Sequence, residues 1–153
     1  MKSFLLKHKE QILIYSCTLL VFLWIYTAFS KLVDLKDFKH QLANQTFGKR
    51  TATLLLWFIP SSEITAAVLL LFRKTRFVGL MLSALLMLLF TAYIALVLLG
   101  YYDRTPCSCG GVLKAMGWQM HLWFNVLFLT LSALGIYLNG VSSIKTWRFK
   151  HDA

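Results

Sequence analysis

The sequence has 153 residues, of which 58% are hydrophobic and only 14% are charged. Soluble domains carry a charge on roughly a quarter of their residues, so this composition excludes an ordinary soluble protein and indicates a membrane protein. Three cysteines are too few for a small secreted domain held together by disulfides. The net charge of +10 comes from basic residues that flank the apolar runs, where they meet lipid headgroups. We therefore expect no nucleic-acid partner.

Four apolar stretches are long enough to cross a bilayer, at roughly residues 11–30, 52–72, 77–100 and 120–139. They lack the alternating pattern of a β-barrel, and backbone in lipid must satisfy its own hydrogen bonds, so each stretch is predicted to be a helix. The short basic segment 73–76 predicts a tight turn that pairs the second and third spans as a hairpin. The sequence thus predicts an all-α integral membrane protein, a four-transmembrane-helix bundle, with a single membrane domain over residues 1–153.

The first span shares some features with a signal peptide, because Lys2, Lys7 and Lys9 precede it and Ala28-Phe29-Ser30 loosely resembles a cleavage site. Its apolar run is longer than the signal core of about 7–15 residues, so we predict a membrane span instead. The aromatic segment from Trp24 to Phe29 is typical of an anchor at the membrane interface.

Residues 31–47 predict a short amphipathic helix on the membrane surface after the first span. Counting Lys and Arg on the two sides of the spans favours both termini in the cytoplasm, particularly when this helix is left out of the count. The segments 31–51 and 101–119 then face the periplasm or cell exterior, and we expect the protein to be integral to the bacterial inner membrane. The apolar residues of the predicted surface helix, which have lysines and His40 between them, are Leu32, Leu35, Phe38, Leu42 and Phe47.

Cys107 and Cys109 lie one residue apart between the third and fourth spans, followed by Gly110 and Gly111. A disulfide across one intervening residue closes a small strained ring, and strain makes such a bond easier to reduce. The glycines lack a Cβ and so let another protein's thiol approach closely. This pattern favours an exchangeable dithiol, with a static disulfide, free thiols or a metal site as alternatives. Cys17 lies near the start of the first span, most of a membrane thickness away from Cys107 and Cys109. It is predicted to be a small buried hydrophobic residue.

Trp118, His121 and Asn125 follow at spacing i, i+3 and i+7, which places them on one face of the fourth span. The imidazole of His121 titrates near neutral pH, so it could exchange a proton with a nearby thiolate. The alternative is structural: His121 would lie at headgroup level and Asn125 would hydrogen-bond between helices.

A copper site is a further alternative, because cysteine, methionine and histidine are soft ligands. The candidates show no recurring ligand spacing, and methionines at helical spacing more often serve packing, so we predict no metal site. The residues of this alternative are Cys107, Cys109, Met116, Met120 and His121.

Glu63 places a carboxylate deep in the second span, after Pro60-Ser61-Ser62. Such a group costs several kcal/mol when ionised in lipid unless it is paired, and Lys31 is one cation that could pair with it. Two interpretations remain open. Glu63 either clamps the second helix to the first by a hydrogen bond, or it serves a proton relay or a quinone-like ligand.

The sequence resembles the DoxX-like four-span membrane proteins, and within them the methylamine-utilisation MauE family. The resemblance covers nearly the whole chain, and its most distinctive parts are the cysteine block and Pro-x-x-Glu. The matching residues are Ala28-Phe29-Ser30-Lys31-Leu32-Val33-Asp34 with Phe38, then Ile59-Pro60-Ser61-Ser62-Glu63, then Cys107-Ser108-Cys109-Gly110-Gly111 with Trp118 and Asn125.

MauE is thought to assist the formation of disulfides in the small subunit of methylamine dehydrogenase, together with a thioredoxin-like periplasmic partner. The resemblance implies a similar role for this protein. Related DoxX proteins are instead small subunits of quinone-linked oxidoreductases, so a non-catalytic subunit is the rival hypothesis. We predict that Cys107, Cys109 and His121 carry thiol-disulfide exchange, supported by the residues Glu63, Trp118 and Asn125. Because the sequence contains no flavin, haem or nucleotide motif, the expected electron acceptor is a diffusible quinone or another protein.

Overall fold

The computed structural model describes residues 8–43, 49–100 and 117–151, and these residues are almost entirely helical. Within these residues, four helical stretches are long and apolar enough to cross a membrane: Lys9–Val33, Arg50–Leu71, Arg76–Leu98 and Trp118–Gly140. The predicted four-span helical architecture is therefore confirmed. The helices are α1 (Lys9–Val33), α2 (Leu35–Ala43), α3 (Lys49–Leu71), α4 (Arg76–Leu98) and α5 (Trp118–His151).

The spanning helices form a four-cornered bundle. Helix α1 packs against α3 and α5, and α4 packs against the same two helices, so α1 and α4 occupy opposite corners. Because successive spans run in opposite directions, α1 ends, α3 begins, α4 ends and α5 begins at one end of the bundle. We call this the Trp118 end, and the opposite end, where α3 turns into α4, the Arg76 end.

The predicted turn between the second and third spans is present and is closed by Thr75. Its backbone N–H donates to the Phe72 carbonyl at 3.2 Å, and its hydroxyl donates to the Leu69 carbonyl at 2.9 Å. Just beyond the turn, the position that a Cβ of Gly79 would take lies 2.9 Å from the backbone nitrogen of Leu70. The absence of a side chain at Gly79 is therefore what lets the backbones of α3 and α4 approach so closely.

Trp24 lies inside the bundle and not at the membrane interface, so the predicted interfacial role of this residue is wrong. Its side chain is 0% exposed, and its indole N–H donates to the Ser83 hydroxyl at 2.9 Å, joining the opposite corners α1 and α4. A buried indole N–H needs an acceptor, and Ser83 supplies one while leaving room for the ring. Phe29, at the other end of the same aromatic segment, is 67% exposed, as expected for a lipid-facing anchor.

The predicted amphipathic helix after the first span is confirmed as α2, but its surroundings differ from the prediction in two ways. Its apolar residues Phe38 and Leu42 are buried against Leu56 of α3, so this face packs on protein. Helix α1 also continues to Val33, which places Lys31 inside the first span, where it is only 4% exposed. The reason for this continuation is a buried partner for Lys31, described below.

We predict that replacing Gly79 with Ala destabilises the bundle by about 1–3 kcal/mol, because the added methyl group would force the α3 and α4 backbones apart. The matched control is Gly140→Ala in α5, where an added Cβ meets nothing within 4 Å. That control should be neutral or slightly stabilising, because Ala favours helix over Gly. Unfolding curves of both variants in detergent micelles measure the difference, and equal stabilities would contradict the close approach at Gly79.

Candidate functional site

Four polar or ionisable side chains are almost completely buried between the middle of the bundle and its Trp118 end, next to the buried Thr27. Glu63 is 0%, His121 1%, Asn125 3% and Lys31 4% exposed. Lys31 lies in the last turn of α1, Glu63 comes from α3, and His121 and Asn125 come from the start of α5. We call these four residues the polar cluster. Polar and ionisable side chains at such positions in membrane helices are expensive and are therefore candidates for function.

The strongest contact in the cluster is an ion pair between α1 and α3. The Lys31 ammonium lies 2.7 Å from Glu63 Oε1 and also donates to the Thr27 carbonyl at 3.3 Å. The Thr27 hydroxyl lies beside the same carboxylate. The second acceptor of the ammonium offsets part of its loss of hydration, whereas the Thr27 hydroxyl donates its proton to the Trp24 carbonyl at 3.3 Å.

Helix α2 covers this ion pair. The Phe38 ring, on the buried face of α2, has its centroid 6.0 Å from the Lys31 ammonium, near the outer limit for a favourable cation–π contact. Phe38 in turn packs on Leu56 of α3. The ion pair therefore lies beneath the short helix that links the first two spans.

Three atoms of the cluster have no hydrogen-bond partner within the described part of the chain: Glu63 Oε2, His121 Nε2 and Asn125 Nδ2. Folded proteins leave few buried polar atoms unpaired, because each costs about 1–3 kcal/mol. The free atoms include an acceptor on Glu63, a donor on Asn125 and an imidazole nitrogen that serves either role depending on its proton. The cluster therefore retains unused hydrogen-bonding capacity after it has joined the helices.

The predicted polar face of the fourth span lies at the start of α5. The backbone N–H of His121 bonds to the Gly117 carbonyl at 3.0 Å, so His121 lies one turn into the helix. Its ring is parallel to that of Trp118, with an interplanar angle of 6° and 6.4 Å between centroids. The Lys31 ammonium is near enough for its charge to act on His121. With 1% exposure, the His121 side chain is directed into the bundle and not toward lipid.

The two predicted reactive cysteines, Cys107 and Cys109, lie outside the residues that the structure describes, as does Met116. Their segment joins the end of α4 to the start of α5, both at the Trp118 end.

Met120 is 63% exposed whereas the adjacent His121 is buried, so these two candidate copper ligands occupy different faces of α5. No group of three or more His, Cys, Asp or Glu side chains suited to a metal occurs among residues 8–43, 49–100 and 117–140.

Cys17 is buried at 5% exposure and belongs to the main hydrophobic core, which confirms its predicted packing role.

Sequence reasoning missed the contributions of Thr27 and Phe38 to the surroundings of the ion pair. The spacing of Thr27 and Lys31, one helical turn apart, was the available signal for the first of them. No sequence signal predicts that the Phe38 ring covers Lys31, because that contact depends on how α2 folds back along α3.

We predict that removing one charge of the Lys31–Glu63 ion pair lowers stability strongly, and that removing both charges costs less than the two single losses added together. Lys31→Met or Glu63→Leu alone should lower the free energy of unfolding in detergent by about 3–5 kcal/mol, because each leaves the other charge buried without a partner. The double variant should lose less than the sum of the two. Lys39→Met, at an exposed position of α2, is the control and should change little. Additive losses in the double variant would show that the two charges are not coupled.

Comparison with known proteins gives one match. The model of the family described as methylamine utilisation protein MauE matches residues 9–138, which include most of the described chain and the whole polar cluster. No curated protein matches the chain, and no solved structure matches it. Because the match extends over most of the sequence, the chain belongs to the MauE family of membrane proteins.

Proposed function

We propose that this protein carries out thiol-disulfide exchange on the periplasmic side of the bacterial inner membrane, with Cys107 and Cys109 as the exchanging pair. Its partner would be a thioredoxin-like periplasmic protein or a disulfide-containing client, in methylamine utilisation or a related pathway. The observation that best supports the proposal is the position of His121. This residue lies one turn into the helix that follows the cysteine segment, and its Nε2 atom is unpaired among the described residues.

In the proposed reaction a thiolate of the reduced partner attacks one sulfur of a Cys107–Cys109 disulfide, forming a mixed disulfide and releasing the other cysteine as a thiolate. The partner's second thiolate then attacks the mixed disulfide. The partner leaves oxidised, and Cys107 and Cys109 are left as a reduced pair that has gained two electrons and two protons. A quinone or another disulfide protein must accept these electrons and protons to complete the cycle.

The polar cluster would serve this reaction by holding a proton-exchanging group in a fixed place. Trp118 lies parallel to the imidazole of His121, with 6.4 Å between the ring centroids. The Lys31–Glu63 ion pair fixes α1 to α3 beside it, and Asn125 follows one turn later on the same buried face of α5. His121 is therefore proposed to transfer protons, whereas Glu63, Trp118 and Asn125 are positioning residues.

The proposed orientation has both termini in the cytoplasm. Arg73 and Lys74 belong to the turn at the Arg76 end, where Arg76 begins α4 and Lys9 begins α1. Basic residues in short segments beside spans favour the cytoplasmic side. The Trp118 end and the Cys107–Cys109 segment would then face the periplasm.

We predict that the double substitution Cys107→Ser/Cys109→Ser abolishes oxidation of a reduced thioredoxin by the purified, oxidised protein, because no exchangeable disulfide remains. Cys17→Ser is the matched control and should retain activity, because Cys17 is a buried core residue. The double serine variant should show the unfolding curve of the unsubstituted protein, whereas Cys17→Ser should remain folded at a small cost in stability, because it places a hydroxyl in the core. Full activity of the double serine variant would overturn the exchange proposal and favour a non-catalytic subunit.

We predict that His121→Phe slows the exchange by about 10²-fold, the usual contribution of a positioned acid–base group. The dependence of the rate on pH around neutrality should also change, which loss of packing alone would not cause. Met120→Leu alters the adjacent but exposed residue and should leave both the rate and its pH profile unchanged. An unaltered pH profile in His121→Phe would exclude His121 from proton transfer.

A further inference from the structure

A cavity of about 280 Å³ lies at the Arg76 end of the bundle, between α1 and the turn that joins α3 to α4. It is lined by apolar side chains together with Cys17, Thr18 and Arg76. Its opening faces the lipid, because three of its apolar lining residues are 43–67% exposed. The apolar lining residues are Ile14, Val21, Phe22, Leu70 and Leu71.

Arg76 brings a positive charge into this apolar setting. Its Nε atom is buried and has no hydrogen-bond partner within residues 8–43, 49–100 and 117–140. The guanidinium is near enough to the Cys17 thiol for its charge to act on that group. The buried ion pair found in this part of the chain is between Lys31 and Glu63, at the opposite end. Arg76 therefore presents an unused Nε donor and a positive charge, both of which favour an anion.

The size and position of the cavity indicate what kind of anion fits. Pockets that enclose a small molecule usually measure about 300–1,000 Å³, so a cavity at the lower limit with an open side suits one segment of a longer molecule. The four-residue turn Phe72–Thr75 marks the end of the spans and hence the depth of the lipid headgroups. An acyl chain along the apolar wall would place its phosphate beside Arg76.

We propose that this cavity is a binding site for one acidic phospholipid, whose phosphate bonds to Arg76 and whose acyl chain lies along α1 near Cys17. Arg73 and Lys74, both exposed on the same turn, add positive charge around the headgroup. In the orientation proposed above, the site faces the cytoplasmic leaflet. The lipid site does not depend on the exchange reaction, because it lies at the other end of the bundle from the polar cluster.

Titration of the purified protein with phosphatidylglycerol or phosphatidylcholine, followed by native mass spectrometry, tests the proposal. One phosphatidylglycerol should bind more tightly than phosphatidylcholine. Arg76→Gln should weaken phosphatidylglycerol binding about tenfold or more, the usual effect of losing a charge-assisted hydrogen bond, and Arg76→Lys should restore part of it. Arg73→Gln, which removes the same charge from an exposed position outside the cavity, should change the affinity less than about threefold.

Two further measurements test whether the acyl chain occupies the cavity. Ile14→Trp, at a 43% exposed lining position, fills the opening without removing charge and should also reduce binding. In a Cys107→Ser/Cys109→Ser background Cys17 is the remaining cysteine of the three, and its reaction with N-ethylmaleimide should slow when phosphatidylglycerol is added. Equal affinity for the two lipids, or equal losses in Arg76→Gln and Arg73→Gln, would overturn the proposal. Protection of Cys17 by glycerol phosphate alone would also overturn it, because the site would then bind the anion without the chain.

Discussion

The ion pair between Lys31 and Glu63, 2.7 Å apart, is the interaction on which the arrangement of this bundle depends. In lipid, either charge alone would cost several kcal/mol, so the two helices that carry them are held in the one register that brings the charges together. That register keeps Lys31 within α1 and lets α2 begin just beyond it. Helix α2 then folds back along α3 and places Phe38 over the pair. The position of α5 beside α1 brings His121 within reach of the same charge.

Close helix packing in the rest of the bundle comes from small residues, as expected where apolar contact between helices offers no advantage over contact with lipid. Gly79 lets α3 and α4 meet, and Ser83 gives Trp24 an acceptor across the bundle centre. Gly135 plays a similar part on α5, where an added Cβ would lie 2.7 Å from a terminal carbon of Leu80. These contacts fix the positions of the helices that carry the polar cluster, which the proposed proton-exchanging role of His121 would require.

The two ends of the bundle differ in chemistry. The Trp118 end combines a buried polar cluster with the attachment points of the segment that contains Cys107 and Cys109. The Arg76 end combines a basic turn with an apolar cavity open to lipid. This polarity suits a protein that works on partners at one membrane surface and associates with acidic lipid at the other.

The number, type and approximate limits of the spans could be predicted from the sequence, because about twenty apolar residues bounded by basic ones leave few alternatives in a bilayer. The shared face of His121 and Asn125 could also be predicted, since it follows from helical spacing. Glu63 could be matched with Lys31 as one candidate partner, and the structure shows that pair, but the burial of Trp24 and Lys31 inside the bundle could not be predicted. Aromatic and basic residues near the end of a span usually lie at the interface, and only the partners Ser83 and Glu63, distant in sequence, bring these two side chains inside.

The most direct test of the central claim is thiol labelling of intact cells with a membrane-impermeant maleimide, before and after mild reductant. The mass of the peptide that contains Cys107 and Cys109 reports the modification, and permeabilised cells serve as the control. We expect labelling of both cysteines only after reduction, because an exchangeable disulfide exposed at the outer surface has no free thiol until it is reduced. Labelling that requires permeabilisation would reverse the proposed orientation, and ready labelling without reductant would show free thiols in place of a disulfide.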